Sequence, residues 1–218
     1  MRRVIVLRPE PGASETVARA RALGLEALAV PLFAIEPVAW TRPEGAFDGL
    51  LLTSANAVRS AGPGLEELRG LGAYAVGEAT ARAARGAGFD IAATGEEGVE
   101  RLLGSIESDL RLLHLCGEDR TMVTARQAIT PVVVYRVAAL ETPELRIGDG
   151  DVVLIHSRRA GRRLGELVED RAGVAVAAIS AAAADAAGGG WAAIEAAETP
   201  TDDALLALAA RLCNKPRP

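Results

Sequence analysis

Aromatic side chains are scarce in this chain: two Trp, two Tyr and three Phe among 218 residues. Half the residues are nonetheless hydrophobic, so a core can form, and it must be built from Ala, Val, Leu and Ile. Excess positive charge is also missing, with a net charge of −5 and a pI near 5.2. Phosphate backbones call for a basic face, so nucleic acid is excluded as the main partner. No apolar run reaches the ~18–20 residues of a membrane span. The opening Met1 to Leu7 resembles the start of a signal peptide, but Arg8-Pro9-Glu10 cuts the apolar run short and it reads as a first strand. Only two cysteines are present, Cys116 and Cys213, in unlike contexts. They read as free thiols of a reducing cytosol, and the expected location is cytoplasmic. His114 and His156 are the only histidines and have no ligand spacing around them. A metal site and a histidine-dependent triad are therefore unsupported. Gly70-Leu71-Gly72 and Gly86-Ala87-Gly88 lack the third glycine of a dinucleotide fingerprint, and no P-loop is present.

What the chain does have is a phrase written twice. The stretch from Phe47 to Ser54 reappears at Gly150 to Ser157, and Ala75 to Ala81 reappears at Ala178 to Ala184. Ser54 and Gly77 are 23 residues apart, as are Ser157 and Ser180, and both phrases recur at an offset of 103. Internal repeats at a fixed period outrank other local signals. Each copy reads as a buried strand ending in a hydroxyl or glycine turn that opens a helix, the place where α/β proteins bind small ligands.

The pattern predicts strands at Val4-Leu7 and Glu26-Val30, with a helix over Ser14–Leu23 between them. A middle block has strands at Gly49-Thr53, Ala73-Val76, Ile91-Ala93 and Arg111-Leu115, and helices from near Ser54, Glu78, Glu97 and Asp119. A last block has strands at Asp151-His156, Val174-Ile179 and Ala192-Glu195, helices from Arg158, Ala181 and Asp202, and a tail from Lys215. Such alternation implies βαβ units and parallel sheets. Two strands are too few for a domain, so the first and last blocks are expected to share a sheet of about five strands. The expected fold class is α/β: two parallel-sheet domains joined by a two-stranded antiparallel linker. Domain 1 is discontinuous (1–36 plus 141–218), domain 2 is inserted (45–131), and 37–44 and 132–140 are the linkers. Leu32–Trp40, punctuated by Pro37, is expected to lie outside either sheet core. A paired linker would act as a hinge, and a cleft between hinged domains is a natural ligand site.

The strand-end residues carry two readings each. Ser54, with the N–H groups after it, would hold a carboxylate or phosphate, or would simply cap a helix. Gly77 admits close backbone approach, or tight strand–helix packing. Tyr135 on the returning linker would donate a proton to a leaving oxygen, or pack the linker. Arg8, Arg59, Arg82, Arg120, Arg136, Arg158 and Arg159 fall at strand ends or on the linker, which suits an anionic ligand or ordinary solvation.

Several of these segments together resemble the uroporphyrinogen-III synthase family. They are Val6-Leu7-Arg8-Pro9, Leu52 to Val58, Ala75 to Ala81 with Gly88-Phe89, and Val133-Val134-Tyr135-Arg136. Ile155-His156-Ser157 and Ala178-Ile179-Ser180 resemble the family's second domain. The resemblance spans almost the whole chain in order. It implies two flavodoxin-like domains and the closure of hydroxymethylbilane to uroporphyrinogen III, with loss of water and inversion of ring D. The implied route runs from an azafulvene through a spiro intermediate, with no metal and no cofactor. Holding the reacting ends together is the larger part of such a cyclisation. Tyr135 matches the family's tyrosine, in a supporting role toward the leaving hydroxyl. Thr53, Ser54, Gly77, Thr80, Ser157 and Ser180 match turns that bind the acetate and propionate arms, and Arg8 is an added contact. Two domains joined by a hinge need no partner subunit, so a monomer is expected, in transient contact with the synthase that makes hydroxymethylbilane. One departure is plain: where the family often has Gly-x-Thr-Thr, this chain has Ser180-Ala181-Ala182-Ala183 and neither threonine hydroxyl. Two rivals stand beside this reading. One is a non-catalytic two-domain protein that closes on a small polyanion. The other is a nucleotide-using enzyme, which the absent glycine fingerprints disfavour.

Overall fold

The computed structural model describes residues 2–95, 98–120, 123–141 and 143–214. In chain order the elements begin with β1 (Arg3–Val6), α1 (Gly12–Ala22), β2 (Glu26–Ala29) and β3 (Phe33–Pro37). Next come β4 (Gly49–Leu52), α2 (Ala55–Ser60), β5 (Gly72–Val76), α3 (Glu78–Gly86), β6 (Ile91–Gly95), α4 (Val99–Gly104), β7 (Arg111–Gly117) and β8 (Ala128–Ala139). The chain ends with β9 (Val152–Ile155), α5 (Arg158–Leu167), β10 (Ala175–Ala178), α6 (Ala181–Ala186), β11 (Ala193–Ala196) and α7 (Asp202–Asn214). Contacts divide the chain into unit 1, Met1–Ala34 with Ala139–Pro218, and unit 2, Ile35–Ala138.

Unit 1 holds a five-stranded sheet in the spatial order β11-β10-β9-β1-β2. All its pairings are parallel. Parallel strands covered on both faces are expected to be apolar throughout, and Val152–Ile155 and Ala175–Ala178 are buried at every position. Alternate residues supply the two faces. Val4, Val6, Val152 and Leu154 pack with Val17 of α1 and with Leu205, Leu208 and Leu212 of α7. On the other side α5 and α6 meet closely, because a Cβ at Gly161 would lie 2.5 Å from the Ala183 carbonyl oxygen.

Unit 2 holds a six-stranded sheet in which β6-β5-β4-β7-β8 are parallel and β3 lies outside β8. Leu50, Leu52, Leu113 and Leu115 pack under Ala57 and Val58 of α2 and Ala84 of α3. The opposite face buries Leu51 and Leu112 against Leu102 and Leu103 of α4. The stretch Leu32–Trp40, expected outside a sheet core, contains an edge strand. Pro37, lacking an N–H, is tolerated at an edge, and Val38 beside it donates to the Val134 carbonyl at 2.9 Å. β8 pairs with β7 from Ala128 to Tyr135, so its first half belongs to the parallel sheet.

One expected element does not form. No helix follows Asp119: the described residues between Gly117 and Ala128 adopt turns and irregular backbone. This stretch has no apolar stripe at helical spacing, and so no face to bury. Gln127 fixes the loop instead, its buried amide donating to the carbonyls of Leu103 and Glu107, both at 2.9 Å. The helix expected from Glu97 begins at Val99; Glu97 itself and the tail from Lys215 lie outside the described residues.

Candidate active site

In a doubly wound sheet, ligands bind beyond the carboxyl ends of the strands where the strand order reverses. Unit 2 reverses between β4 and β7. A cavity of about 280 Å³ opens there. Thr53, Ser54, His114, Asp119, Arg120 and Tyr135 give it polar groups. Val76, Val99 and Val123 give it an apolar wall, and the Cys116 thiol, raised in pKa by burial, also faces it. Other clefts of about 280 Å³ lie beside α7 and beside α4, and neither brings a histidine or tyrosine to a strand end.

The register of β4 against β7 sets the cavity's chemistry. His114 lies opposite Leu51, and Thr53 is two residues further along, on the same face. The Thr53 hydroxyl and His114 Nε2 are 3.0 Å apart. His114 is only 3% exposed. Burial, with the positive charge of Arg120 beside it, pushes its pKa down to about 4. The imidazole is therefore neutral at physiological pH, with one N–H and one lone pair. Tyr135 lies opposite Gly117 in the β7–β8 ladder. A Cβ at Gly117 would sit 2.7 Å from Tyr135 Cζ and 2.9 Å from its hydroxyl oxygen. Gly117 thus leaves the space into which the phenol settles.

The remaining expected residues of unit 2 occupy neighbouring turns. Ser54 caps α2 by accepting from the Asn56 N–H at 3.2 Å. Gly77 has φ of +80°, a conformation costly for any residue with a Cβ, and precedes α3. Thr80 is buried in the first turn of α3. The cavity takes Val76 from that turn, not Gly77 or Thr80.

Unit 1 reverses between β1 and β9, and there the space is filled by a charged network. His156 Nε2 meets Asp202 Oδ1 at 2.9 Å. Thr16 donates to Asp202 Oδ2 at 3.1 Å, and Arg19 to the same oxygen at 2.6 Å. Arg8 lies 3.5 Å from Asp202 Oδ1. Burial disfavours the charge on Asp202, yet His156, Arg8 and Thr16 hold its carboxyl below the usual range. Burial likewise lowers the pKa of His156, with Arg8 adding to the effect and Asp202 opposing it. Ser157 and Ser180 cap α5 and α6, accepting from the N–H groups of Ala160 at 3.1 Å and Ala183 at 3.3 Å. Arg8, Ser157 and Ser180 all stand at the carboxyl edge of the unit 1 sheet, and Arg8 is already engaged with Thr16 and Asp202.

Sequence reasoning missed His114 and Asp202. Both look ordinary locally, one within a strand and the other opening a helix. The one usable signal was that the chain's two histidines fall in strand-end segments.

The fold and the cavity define a class: a doubly wound α/β protein whose strand-end pocket combines hydroxyl, imidazole, phenol, carboxylate and guanidinium groups. Comparison with known proteins narrows it. The family described as Uroporphyrinogen-III synthase HemD matches residues 14–207, and the chain belongs to that family. The solved uroporphyrinogen-III synthetase of Helicobacter pylori is similar over 97% of this chain and 100% of its own, at 19% identity and a TM-score of 0.69. A mutant uroporphyrinogen III synthase of Thermus thermophilus is similar over 97% and 98%, at 19% identity and a TM-score of 0.52. At these identities the two structures speak to the fold. No curated protein matches the chain. Among the described residues no helix is long and apolar enough to cross a membrane, and no group of three or more His, Cys, Asp or Glu side chains is placed to hold a metal.

Proposed function

We propose that this protein closes hydroxymethylbilane to uroporphyrinogen III, with loss of water and inversion of ring D. Membership of the HemD family supports the reaction. The observation that carries the local chemistry is the placement of Tyr135 on Gly117, lining one cavity with Thr53. The departing hydroxyl needs a proton to leave as water. A phenol on that wall is suited to supply the hydrogen bond, with holding of the reacting ends giving the greater share of the rate. Thr53, Ser54, Gly77 and Thr80 in unit 2, and Arg8, Ser157 and Ser180 in unit 1, are proposed to bind acetate and propionate arms. The proposal extends to the architecture: two flavodoxin-like domains, 1–36 with 141–218 and 45–131, joined by 37–44 and 132–140. The strand order 2-1-3-4-5 of unit 1 supports the flavodoxin-like description. A monomer acting in the cytoplasm, in transient contact with the enzyme that makes its substrate, completes the reading.

The test is a coupled assay in which hydroxymethylbilane is generated from porphobilinogen and the oxidised porphyrins are separated by isomer. Isomer III is expected with the protein and isomer I without it. Isomer I alone from folded protein would favour the polyanion-binding alternative. Tyr135→Phe should lower the rate by tens-fold or less, below the upper end of the ~10²–10⁴-fold range of general acid catalysis. Full activity of that variant would remove Tyr135 from the chemistry.

A further inference from the structure

One element of this acidic protein is strongly basic. The ten residues of α5 include four arginines, Arg158, Arg159, Arg162 and Arg163, and a single acid, Glu166. Their order runs against the helix macrodipole, which favours acids in the first turn and cations in the last. Other long helices of the protein obey that rule. α1 runs from Glu15 to Arg19 and Arg21, α3 from Glu78 to Arg85, and α7 from Asp202 and Asp203 to Arg211. At the offset of 103, α2 has Ala55 and Asn56 where α5 has Arg158 and Arg159, so the repeat does not carry the inversion into unit 2.

Two of the four arginines are occupied. Arg159 stacks over Phe33 at 4.9 Å. Arg163 meets Glu166 at 3.2 Å and the Leu140 carbonyl at 3.4 Å, so the one acid of the helix is already paired. Arg158 and Arg162 are exposed and have no hydrogen bond or ion pair among the described residues. Four residues apart, they share a helix face, where like charges repel. Helix stability does not account for them, since the repulsion and the macrodipole both work against the helix. Their position does suggest a use. α5 starts directly after Ser157, at the carboxyl edge of the unit 1 sheet. Unpaired positive charge at that edge attracts an anion over a range set by the Debye length, about 30 Å at 0.01 M salt and about 8 Å at 0.15 M.

We propose that Arg158 and Arg162 form a capture surface for a polycarboxylate ligand, steering it from solution to the carboxyl edge of the unit 1 sheet. They act through charge on the ligand's arrival and take no part in the chemical step. That the polycarboxylate is hydroxymethylbilane rests on the function proposed above.

The experiment compares wild type with two double variants, Arg158→Gln with Arg162→Gln and Arg158→Lys with Arg162→Lys. Association of uroporphyrin III, a fluorescent tetrapyrrole polycarboxylate, is followed by stopped flow between about 10 and 150 mM salt. The wild-type rate should fall steeply as salt is added. The glutamine pair should slow association about three- to ten-fold at the low-salt end, flatten the salt dependence and leave dissociation nearly unchanged. The lysine pair should keep the wild-type rate, because steering needs the charge and not the planar fork of a guanidinium. In the isomer assay the glutamine pair should raise KM and leave kcat unchanged. Its urea midpoint should rise, as the repulsion within α5 is relieved; a fall would give the two arginines a structural role instead. Wild-type association and salt dependence in the glutamine pair would overturn the capture surface even if isomer III forms. So would a lysine pair as slow as the glutamine pair, or no binding of uroporphyrin III by wild type. Arginine-dependent, salt-sensitive capture with isomer I as the only product would keep the surface and remove the reaction.

Discussion

The two units share one spatial plan reached by different routes along the chain. Reading across the sheets, β11-β10-β9-β1-β2 in unit 1 matches β6-β5-β4-β7-β8 in unit 2. Unit 1 supplies its last two positions from the start of the chain, and unit 2 from the end of its own segment, so one is a circular permutation of the other. They differ most on one face. Unit 1 covers it with two long helices, α1 of 11 residues and α7 of 13. Unit 2 covers the same face with the 6-residue α4 and, among the described residues, irregular backbone where a counterpart of α1 would lie. Two long helices bring Thr16 and Asp202 to the switch point of unit 1 and close it with a salt-bridged network. The shorter cover of unit 2 leaves the corresponding point open. One plan thus yields a salt-bridged switch point in one unit and an open cavity in the other.

The opposite face gives the largest test of this comparison. Gly161 on α5 corresponds to Val58 on α2. α5 approaches α6 so closely that a side chain at Gly161 meets the Ala183 carbonyl oxygen at 2.5 Å and the Ala187 nitrogen at 3.2 Å. Gly161→Val, which installs the unit 2 residue, should destabilise the protein by about 3 kcal/mol, since the obstruction is backbone that can only move as a helix. Urea unfolding measures it. A loss below about 1 kcal/mol would mean that the two helix pairs tolerate the same spacing.

The histidines give the next effect, and its sign follows from burial. The folded-state pKa of His114 is near 4, against about 6.5 in an unfolded chain. Between these values the unfolded chain binds the proton and the folded one does not. This contribution is therefore fully present above about pH 6.5, is lost as the pH falls, and levels off below about pH 4. From pH 7.5 to pH 5 the loss from His114 should be about 2 kcal/mol. His156, lowered for the same principal reason, acts in the same direction in unit 1. His114→Leu continues the apolar layer of Leu51 and Leu112. Comparing its pH dependence of stability with that of wild type isolates the unit 2 share. Identical pH profiles would contradict the buried, neutral state of His114.

How much of this could be read from sequence depended on how local each cause is. The apolar runs Leu50–Leu52 and Val152–Ile155 announce strands covered on both faces, and the repeated turns announce the helices after them, because each signal lies within a few residues. The loop at Asp119 was misread as a helix. An acidic residue after a strand resembles a helix start, and the burial of Gln127 against Leu103 and Glu107 that fixes the loop is not local. Asp202 could be read as a helix opener. Its partners Thr16 and Arg19 lie more than 180 residues earlier in the chain, and only the fold reveals them. Tyr135 was legible as a residue on the returning strand, but its seat on Gly117 depends on the β7–β8 register.

The smallest effect sharpens the question of what the repeated serines do. Ser54, Ser157 and Ser180 all accept from a backbone N–H one turn into their helices, so replacing any one with Ala should cost about 1 kcal/mol. That result alone would fit pure capping. Aspartate separates the roles, because it caps as well as serine but adds a negative charge where an acid arm is proposed to bind. Ser54→Asp should stay within about 0.5 kcal/mol of wild type in unfolding while raising KM. The same change at Ser157 lies beside Arg158 and Arg159, whose charge offsets part of the repulsion, so its KM should rise less. If both aspartate variants keep wild-type KM, the repeated serines are caps in both units, and the difference between the units lies in the cavity alone.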